Sequence, residues 1–258
     1  MLSVSDLDVS IGPVPIIRKA ALDLAEGEMC GLIGRNGAGK TTFINMITGH
    51  LRPTKGTIRL EDRDITGWPS REITRLGISR SFQVAQIFPS LSVFENMCAA
   101  AAIANGPDSI IARALMPLHA PETIAEANAA IELFQIGSYR DVQAATLPQG
   151  VRKLLDIGMA VTGRPRVLLL DEPTSGISVE EKFGLMDVVM SALKTRRMTV
   201  LFVEHDMDIV SRYADRVLAF YDGTVIADGA PAIALADEQV QILISGTKVR
   251  AREGATHA

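Results

Sequence analysis

Nine consecutive residues, Gly34-Arg35-Asn36-Gly37-Ala38-Gly39-Lys40-Thr41-Thr42, carry the types needed to hold a chain of phosphates. The glycines let the backbone turn and approach an anion closely, so that the loop wraps a phosphate with its N–H groups. Lys40 supplies a cation with the reach for β- and γ-phosphates. The Thr41 hydroxyl is placed for Mg²⁺, and Thr42 for a contact near the α-phosphate. This G-x-x-x-x-G-K-[ST] spacing works only between a strand and a helix. Here the apolar run Met29-Cys30-Gly31-Leu32-Ile33 precedes it and Phe43-Ile44-Asn45-Met46-Ile47 follows, which predicts strand, glycine loop and helix in that order.

Other elements must bring further groups to that loop. Residues 2 to 10 and Ile16 to Leu24 alternate in polarity, and Thr57 to Leu60 follows turn chemistry at Arg52-Pro53-Thr54-Lys55-Gly56; these predict an N-terminal antiparallel β layer. A brief helix near Pro69 to Arg75 leads to the extended segment Gly77 to Gln83. Ser92 and Glu95 form a capping box for a helix from Leu91 to about Ala104. The alanine-rich stretch Asp108 to Phe134, broken by Pro117 and Pro121, reads as two or three helices. Leu147-Pro148-Gln149-Gly150 opens another, ended by Arg164-Pro165, with Pro148 at an entry position where no N–H bond is lost. Val167-Leu168-Leu169-Leu170-Asp171-Glu172 and Thr199 to Val203 with Glu204-His205-Asp206 are continuous apolar runs closed by polar groups, as parallel strands buried on both faces should be. The helix Val179 to Leu193 between them implies right-handed parallel crossovers. Val217 to Phe220 and Thr224 to Ala227 form a hairpin around Asp222-Gly223, a helix near Asp237 to Ile244 follows, and the tail from Lys248 frays.

Composition narrows the function classes. The 258 residues, 47% hydrophobic, suffice for a packed core. A net charge of −4 gives no support to a nucleic-acid-binding surface. The longest apolar run, Met97 to Ala104, falls far short of the roughly 20 residues that span a bilayer. Ser3, Ser5, Asp6 and Asp8 interrupt the first apolar residues, so no signal peptide is expected and the chain should stay in the cytosol. Cys30 and Cys98 fit reduced, buried thiols.

Gly34 to Thr42, Gln83, Leu147 to Gly150, Val167 to Glu172, Ser175 to Ser178 and His205 occur in an order that resembles the ATP-binding subunits of ABC transporters over nearly the whole chain. Arg80-Ser81-Phe82-Gln83 followed by Leu91-Ser92-Val93-Phe94-Glu95-Asn96 looks most like the cassettes of branched-chain amino-acid importers. The resemblance implies an α/β P-loop NTPase of ABC type: a mostly parallel core sheet flanked by helices, an antiparallel β layer and an inserted helical subdomain. The core then comprises residues 1–83 and 163–246, the helical subdomain 84–162, and the tail 247–258. Asp171, at the end of a parallel strand beside the glycine loop, is placed to hold Mg²⁺ through water. Glu172 is placed to polarise the attacking water, the base role that the resemblance also implies. Gln83 would orient water and Mg²⁺, and the His205 imidazole would bond the γ-phosphate. The resemblance further implies two cassettes sandwiching two ATP molecules, permease subunits, a solute-binding protein acting through them, and a peripheral place on the cytoplasmic face of the membrane. The segment from Val84 to about Ala101, with Ile87-Phe88-Pro89 and Val93-Phe94, is expected to dock a permease loop.

Three positions depart from the family pattern. Pro148 stands where a serine hydroxyl usually reaches the γ-phosphate of the opposite subunit, leaving Gln149, Gly150 and the helix N-terminus to bind across the interface. Ile11 stands where an aromatic commonly stacks on adenine. Ser178 stands where an acid is expected. A degenerate nucleotide-sensing module is the competing reading, favoured by Pro148 and opposed by Glu172 and His205. Two-cassette soluble ATPases do not fit the length, and no Asn-Lys-x-Asp segment reads guanine.

Overall fold

The structure, a computed structural model, describes residues 1–81, 86–105 and 120–246. Two sheets organise it. The first joins β1 (Leu2–Ile11), β2 (Val14–Leu24), β4 (Lys55–Leu60) and the short β5 (Arg63–Asp64) in the order β2-β1-β4-β5, every pairing antiparallel. Leu2 pairs with Leu24 on one side and with Leu60 on the other, so the alternating apolar residues share one buried face.

The second sheet contains β3 (Met29–Gly34), β6 (Ile78–Ser81), β7 (Val167–Asp171), β8 (Thr199–Val203), β9 (Arg216–Tyr221) and β10 (Thr224–Gly229), in the order β10-β9-β3-β8-β7-β6. All its neighbours are parallel except the β9–β10 hairpin, which extends the core sheet beside β3. Strands β3, β7 and β8 are buried at every position. The alternation of side chains explains how continuous apolar runs arise. Ile33, Leu168, Leu170, Val200 and Phe202 enter one core, while Leu32, Leu169, Leu201 and Val203 enter the other, on the opposite face.

The second of these cores also takes up the antiparallel layer and α1 (Lys40–Ile47), where Phe43 meets Phe220 with ring centroids 5.1 Å apart. The first is covered by α3 (Val93–Asn105), α4 (Pro121–Leu133), α5 (Gln149–Thr162) and α6 (Val179–Thr195). The short helices α2 (Ser70–Arg75) and α7 (Met207–Tyr213) complete the connections into β6 and β9. The capping box of α3 is present: Glu95 N–H donates to Ser92 Oγ at 3.2 Å and Ser92 N–H to Glu95 Oε2 at 2.8 Å.

Pro148 is the residue just before α5, in an extended conformation, and its carbonyl accepts from Arg152 N–H at 2.9 Å. The expected helix near Asp237 to Ile244 is present: one α turn, Glu238–Val240, capped by Asp237, widens into a π turn over Gln241–Ser245 and stops at Gly246. The helices expected within 106–119 and the tail from Lys248 lie outside the described residues. Cys30 and Cys98 are free, buried thiols, and burial pushes the Cys30 pKa up to about 12.

Candidate active site

Strands β9, β3, β8, β7 and β6 run parallel, so their C-terminal ends share one edge, where ligands gather in open α/β sheets. The register lines the ends up: Leu32 pairs with Val203, and Val203 with Asp171. The glycine loop therefore leaves β3 beside the strand that delivers Glu204 and His205, which is itself beside the strand that delivers Asp171 and Glu172. Strand β6, next in line, ends at Ser81; Gln83 lies outside the described residues.

Helix α1 begins at Gly39 with no side-chain cap and no acid in its first turn, so its leading N–H groups and partial positive charge stay available. Gly39 has φ of 102°, and a Cβ there would lie 2.5 Å from Ile17 Cδ1, so the backbone and the space both require glycine. Lys40 is 5% exposed, and its Nζ donates to the carbonyls of Gly34 at 2.6 Å and Arg35 at 3.1 Å. An ammonium has three donors, so these two bonds hold the loop around the lysine and leave one N–H for a ligand. Burial lowers the Lys40 pKa, while the carboxylates of Glu172 and Asp171 pull it back up. Arg35, Asn36, Gly37 and Thr41 are exposed, Thr42 is half-buried, and Ala38 is buried under the loop.

Asp171 is buried, and Arg80 donates to its Oδ2 at 2.6 Å and to Asn45 Oδ1 at 2.7 Å. One guanidinium thus ties β6, α1 and β7 together. Glu172 leaves the sheet with φ of 49°, a left-handed conformation that costs of order 1–2 kcal/mol outside glycine. Its N–H donates to Val203 O at 3.1 Å and its carbonyl accepts from Ser175 N–H at 3.0 Å. His205 Nε2 sits 2.5 Å from Glu172 Oε1, joining the two proposed catalytic groups directly.

The remaining expected residues fall at two other places. Ile11 sits at the β1–β2 hairpin tip, 62% exposed, and the same hairpin reaches the glycine loop through Ile17. Gln149 and Gly150 open α5. There Gln149 lies over Gly176, whose Cβ, if present, would be 2.3 Å from Gln149 Nε2. Ser178, where an acid was expected, caps α6 by accepting from Glu181 N–H at 3.3 Å. A serine performs that capping as an aspartate would.

Of the apolar cluster expected to dock a partner, Val93 is fully buried and Phe94 is half-buried with the Arg140 guanidinium 3.8 Å over its ring. Phe88 remains 44% exposed. It borders a cleft of about 940 Å³ also lined by Arg75, Arg80, Ile103, Asp156 and Arg166.

Sequence reasoning passed over the roles of Arg80 and Asn45, the Thr174–Glu204 contact and the buried Lys153 and Asp156. Arg80 belongs to the Arg80–Gln83 motif and Glu204 adjoins His205, so their positions in the sequence are a signal for both. Asn45, in a helix face, gave no signal.

The donor set suits its ligand class. An uncapped helix start, a buried lysine and exposed loop amides suit a polyphosphate. The Thr41 hydroxyl and Asp171 carboxylate are hard oxygen donors, which suit Mg²⁺ held partly by phosphate and water. Among the described residues there is no group of three His, Cys, Asp or Glu side chains that could hold a metal ion by themselves.

Fold and site together define a P-loop nucleotide-binding α/β protein with a helical insertion. The sequence pattern of the ABC transporter family matches residues 17–175. The chain is 32% identical over 234 residues to the high-affinity branched-chain amino acid transport ATP-binding protein LivG of Salmonella typhimurium, covering 90% of this chain and 92% of that one. It matches BraF of Pseudomonas aeruginosa, also a high-affinity branched-chain amino acid transport ATP-binding protein, at 32% over 90% and 92% of the two chains. The crystal structure of the ADP conformation of MJ1267, an ATP-binding cassette of an ABC transporter, superposes with a TM-score of 0.84 at 28% identity, covering 96% of this chain and 99% of that one. The chain belongs to the ABC transporter family, as one of its ATP-binding cassettes.

Proposed function

We propose that this cassette hydrolyses ATP to drive an importer of branched-chain or related amino acids. The observation that carries the reading is the row of Lys40, Asp171 and the Glu172–His205 pair at neighbouring strand ends. In this reading the loop 34–42 and Lys40 hold the phosphates, and Ile11 makes aliphatic contact with the base. Thr41, Asp171 and Gln83 hold Mg²⁺, which when bound offsets the charge that develops on the phosphates. Glu172 Oε accepts a proton from a water whose oxygen attacks the γ-phosphorus; the bond to the β-phosphate oxygen breaks, and ADP and phosphate leave. His205 positions Glu172 and bonds the γ-phosphate.

Gln149, Gly150 and the start of α5 act on the ATP of a second cassette. The missing hydroxyl at Pro148 weakens that trans contact by roughly 1–3 kcal/mol. The helical subdomain, residues 84–162, and the cleft beside Phe88 meet a cytoplasmic loop of the permease. The chain is then a peripheral subunit at the cytoplasmic face of the membrane, with a solute-binding protein acting through the permease. Among the described residues no helix is long and apolar enough to cross a membrane.

Glu172→Gln should retain ATP binding, trap a dimer and lower turnover about 10²- to 10⁴-fold in the complex with the permease. Near-wild-type hydrolysis by that variant would sink the assignment. A nucleotide-sensing role without turnover is the second reading, favoured by Pro148, and the absence of hydrolysis by the wild-type complex would select it.

A further inference from the structure

Glu204 is a buried acid that the hydrolytic scheme does not use. It is 3% exposed and directly precedes His205. Its Oε1 accepts from both the N–H and the hydroxyl of Thr174, at 3.0 and 2.7 Å, and its Oε2 from His205 N–H at 3.3 Å. Thr174 lies two residues after Glu172, in the loop that leads to α6.

We propose that Glu204 is a positioning residue for hydrolysis, which fixes the loop 172–178, and with it Glu172, through Thr174. The proposal rests on the reading that Glu172 is the base.

Three features of the geometry carry it. Glu172 has a left-handed backbone, which persists only when its surroundings over-determine it. The loop is held by short-range turns, Ser175 N–H to Glu172 O at 3.0 Å and Ile177 N–H to Thr174 O at 3.1 Å, so a displacement at Thr174 reaches Glu172. The tripeptide Glu204-His205-Asp206 also grips the far side of this segment, because Asp206 accepts from Lys182 Nζ while capping α7. The two acids flanking His205 thus clamp residues 174 to 182 from both ends, and His205 itself bonds Glu172.

Burying a carboxylate is costly, and burial does raise the Glu204 pKa against the effect of its three donors. An apolar pair would fill the same space without that cost. What an apolar pair would lack is the directional hold on the Thr174 amide and hydroxyl.

The test compares Thr174→Val, Thr174→Ser, Glu204→Ala and the Glu204→Ala/Thr174→Val double variant in the assembled transporter, by steady-state ATPase and by ATP binding. Thr174→Val and Glu204→Ala should each lower kcat tenfold or more with KM and ATP affinity within threefold. Thr174→Ser should restore most of kcat, and the double variant should be no slower than the slower single one. Wild-type kcat in Thr174→Val, a loss confined to KM, no rescue by serine, or multiplicative losses would each overturn the proposal. If Glu204→Ala does not fold, the Val and Ser variants at Thr174 decide alone. A wild-type complex that does not hydrolyse ATP overturns the functional reading and this proposal together, whereas an active wild type with an unaffected Thr174→Val overturns this proposal only.

Discussion

Helices α1 and α5 both start without a side-chain cap, on Gly39 and Pro148, and neither has an acid in its first turn. Helices α6 and α7, which flank the same strand ends, are capped from within by Ser178 and Asp206. An uncapped start leaves N–H donors and partial positive charge for something outside the helix. At α1 the groups that suit an anion belong to the same chain: Lys40 is buried in its loop, where burial lowers its pKa and the carboxylates of Glu172 and Asp171 oppose that shift. At α5 Gln149 is exposed, Gly150 is half-buried, and the neighbour is the loop at Gly176. Under the proposed function, the contrast separates a phosphate cradle that one chain completes from a half-site that would gain its ligand from a second copy.

The largest effect that sharpens this contrast is expected at Lys40. Lys40→Ala removes a charge-assisted contact worth about 1.5–3 kcal/mol, so ATP binding to the isolated chain should weaken roughly 10- to 150-fold by calorimetry. Affinity within threefold of wild type would break the claim that the α1 cradle is complete in one chain. Next comes Pro148→Ser, which restores a hydroxyl at the start of α5. In a Glu172→Gln background it should tighten ATP-dependent dimerisation by about 5- to 150-fold, as read by sedimentation, and leave ATP binding to the monomer unchanged. A change in monomer affinity would show that α5 belongs to the cradle of its own chain.

How far the sequence reveals these two regions depends on whether the chemistry is local. The loop 34–42 is contiguous, so its lysine, glycines and flanking strand and helix could be read together; the apolar runs before Asp171 and Glu204 likewise announced strands buried on both faces. The capping box at Ser92 and Glu95 was legible for the same reason. Contacts between distant segments were not. The Arg80–Asp171 pair spans 91 positions and Thr174–Glu204 spans 30, and only the strand order β3-β8-β7-β6 brings them together. Val93 shows a different limit: an apolar residue in the expected docking segment, for which core is the better reading taken singly, is core, because a helix start packs one face inward.

A smaller effect is expected at the nucleotide base. Ile11 is exposed at the hairpin tip and offers no polar group to read adenine against guanine. ATP and GTP affinities should therefore agree within tenfold, or about 1.4 kcal/mol. Greater discrimination in a competition assay would mean that the α1 side of the molecule includes a base-reading contact beyond Ile11.

The smallest effect concerns the lysine that each helix buries. Lys153 in α5, like Lys40 in α1, is almost fully buried and has its pKa lowered by burial, with Asp156 the foremost charge opposing that shift. Asp156 is itself 5% exposed; burial raises its pKa, against the Gln86 N–H donated to its Oδ1 at 2.8 Å and the attraction of Lys153. A carboxyl whose folded-state pKa is raised binds its proton more tightly in the folded chain. Its contribution to stability is full below the unfolded value near 3.8 and is lost as pH rises through the higher folded value. Asp156→Asn keeps an oxygen for Gln86 and cannot ionise, so it lacks that loss. Its melting temperature relative to wild type should rise as pH increases from about 4 toward neutrality, whatever constant offset the loss of charge beside Lys153 introduces. A difference that is flat, or that falls with pH, would mean that Lys153 holds Asp156 ionised more strongly than burial opposes it, and that α5, unlike α1, carries a fully compensated ion pair behind its open end.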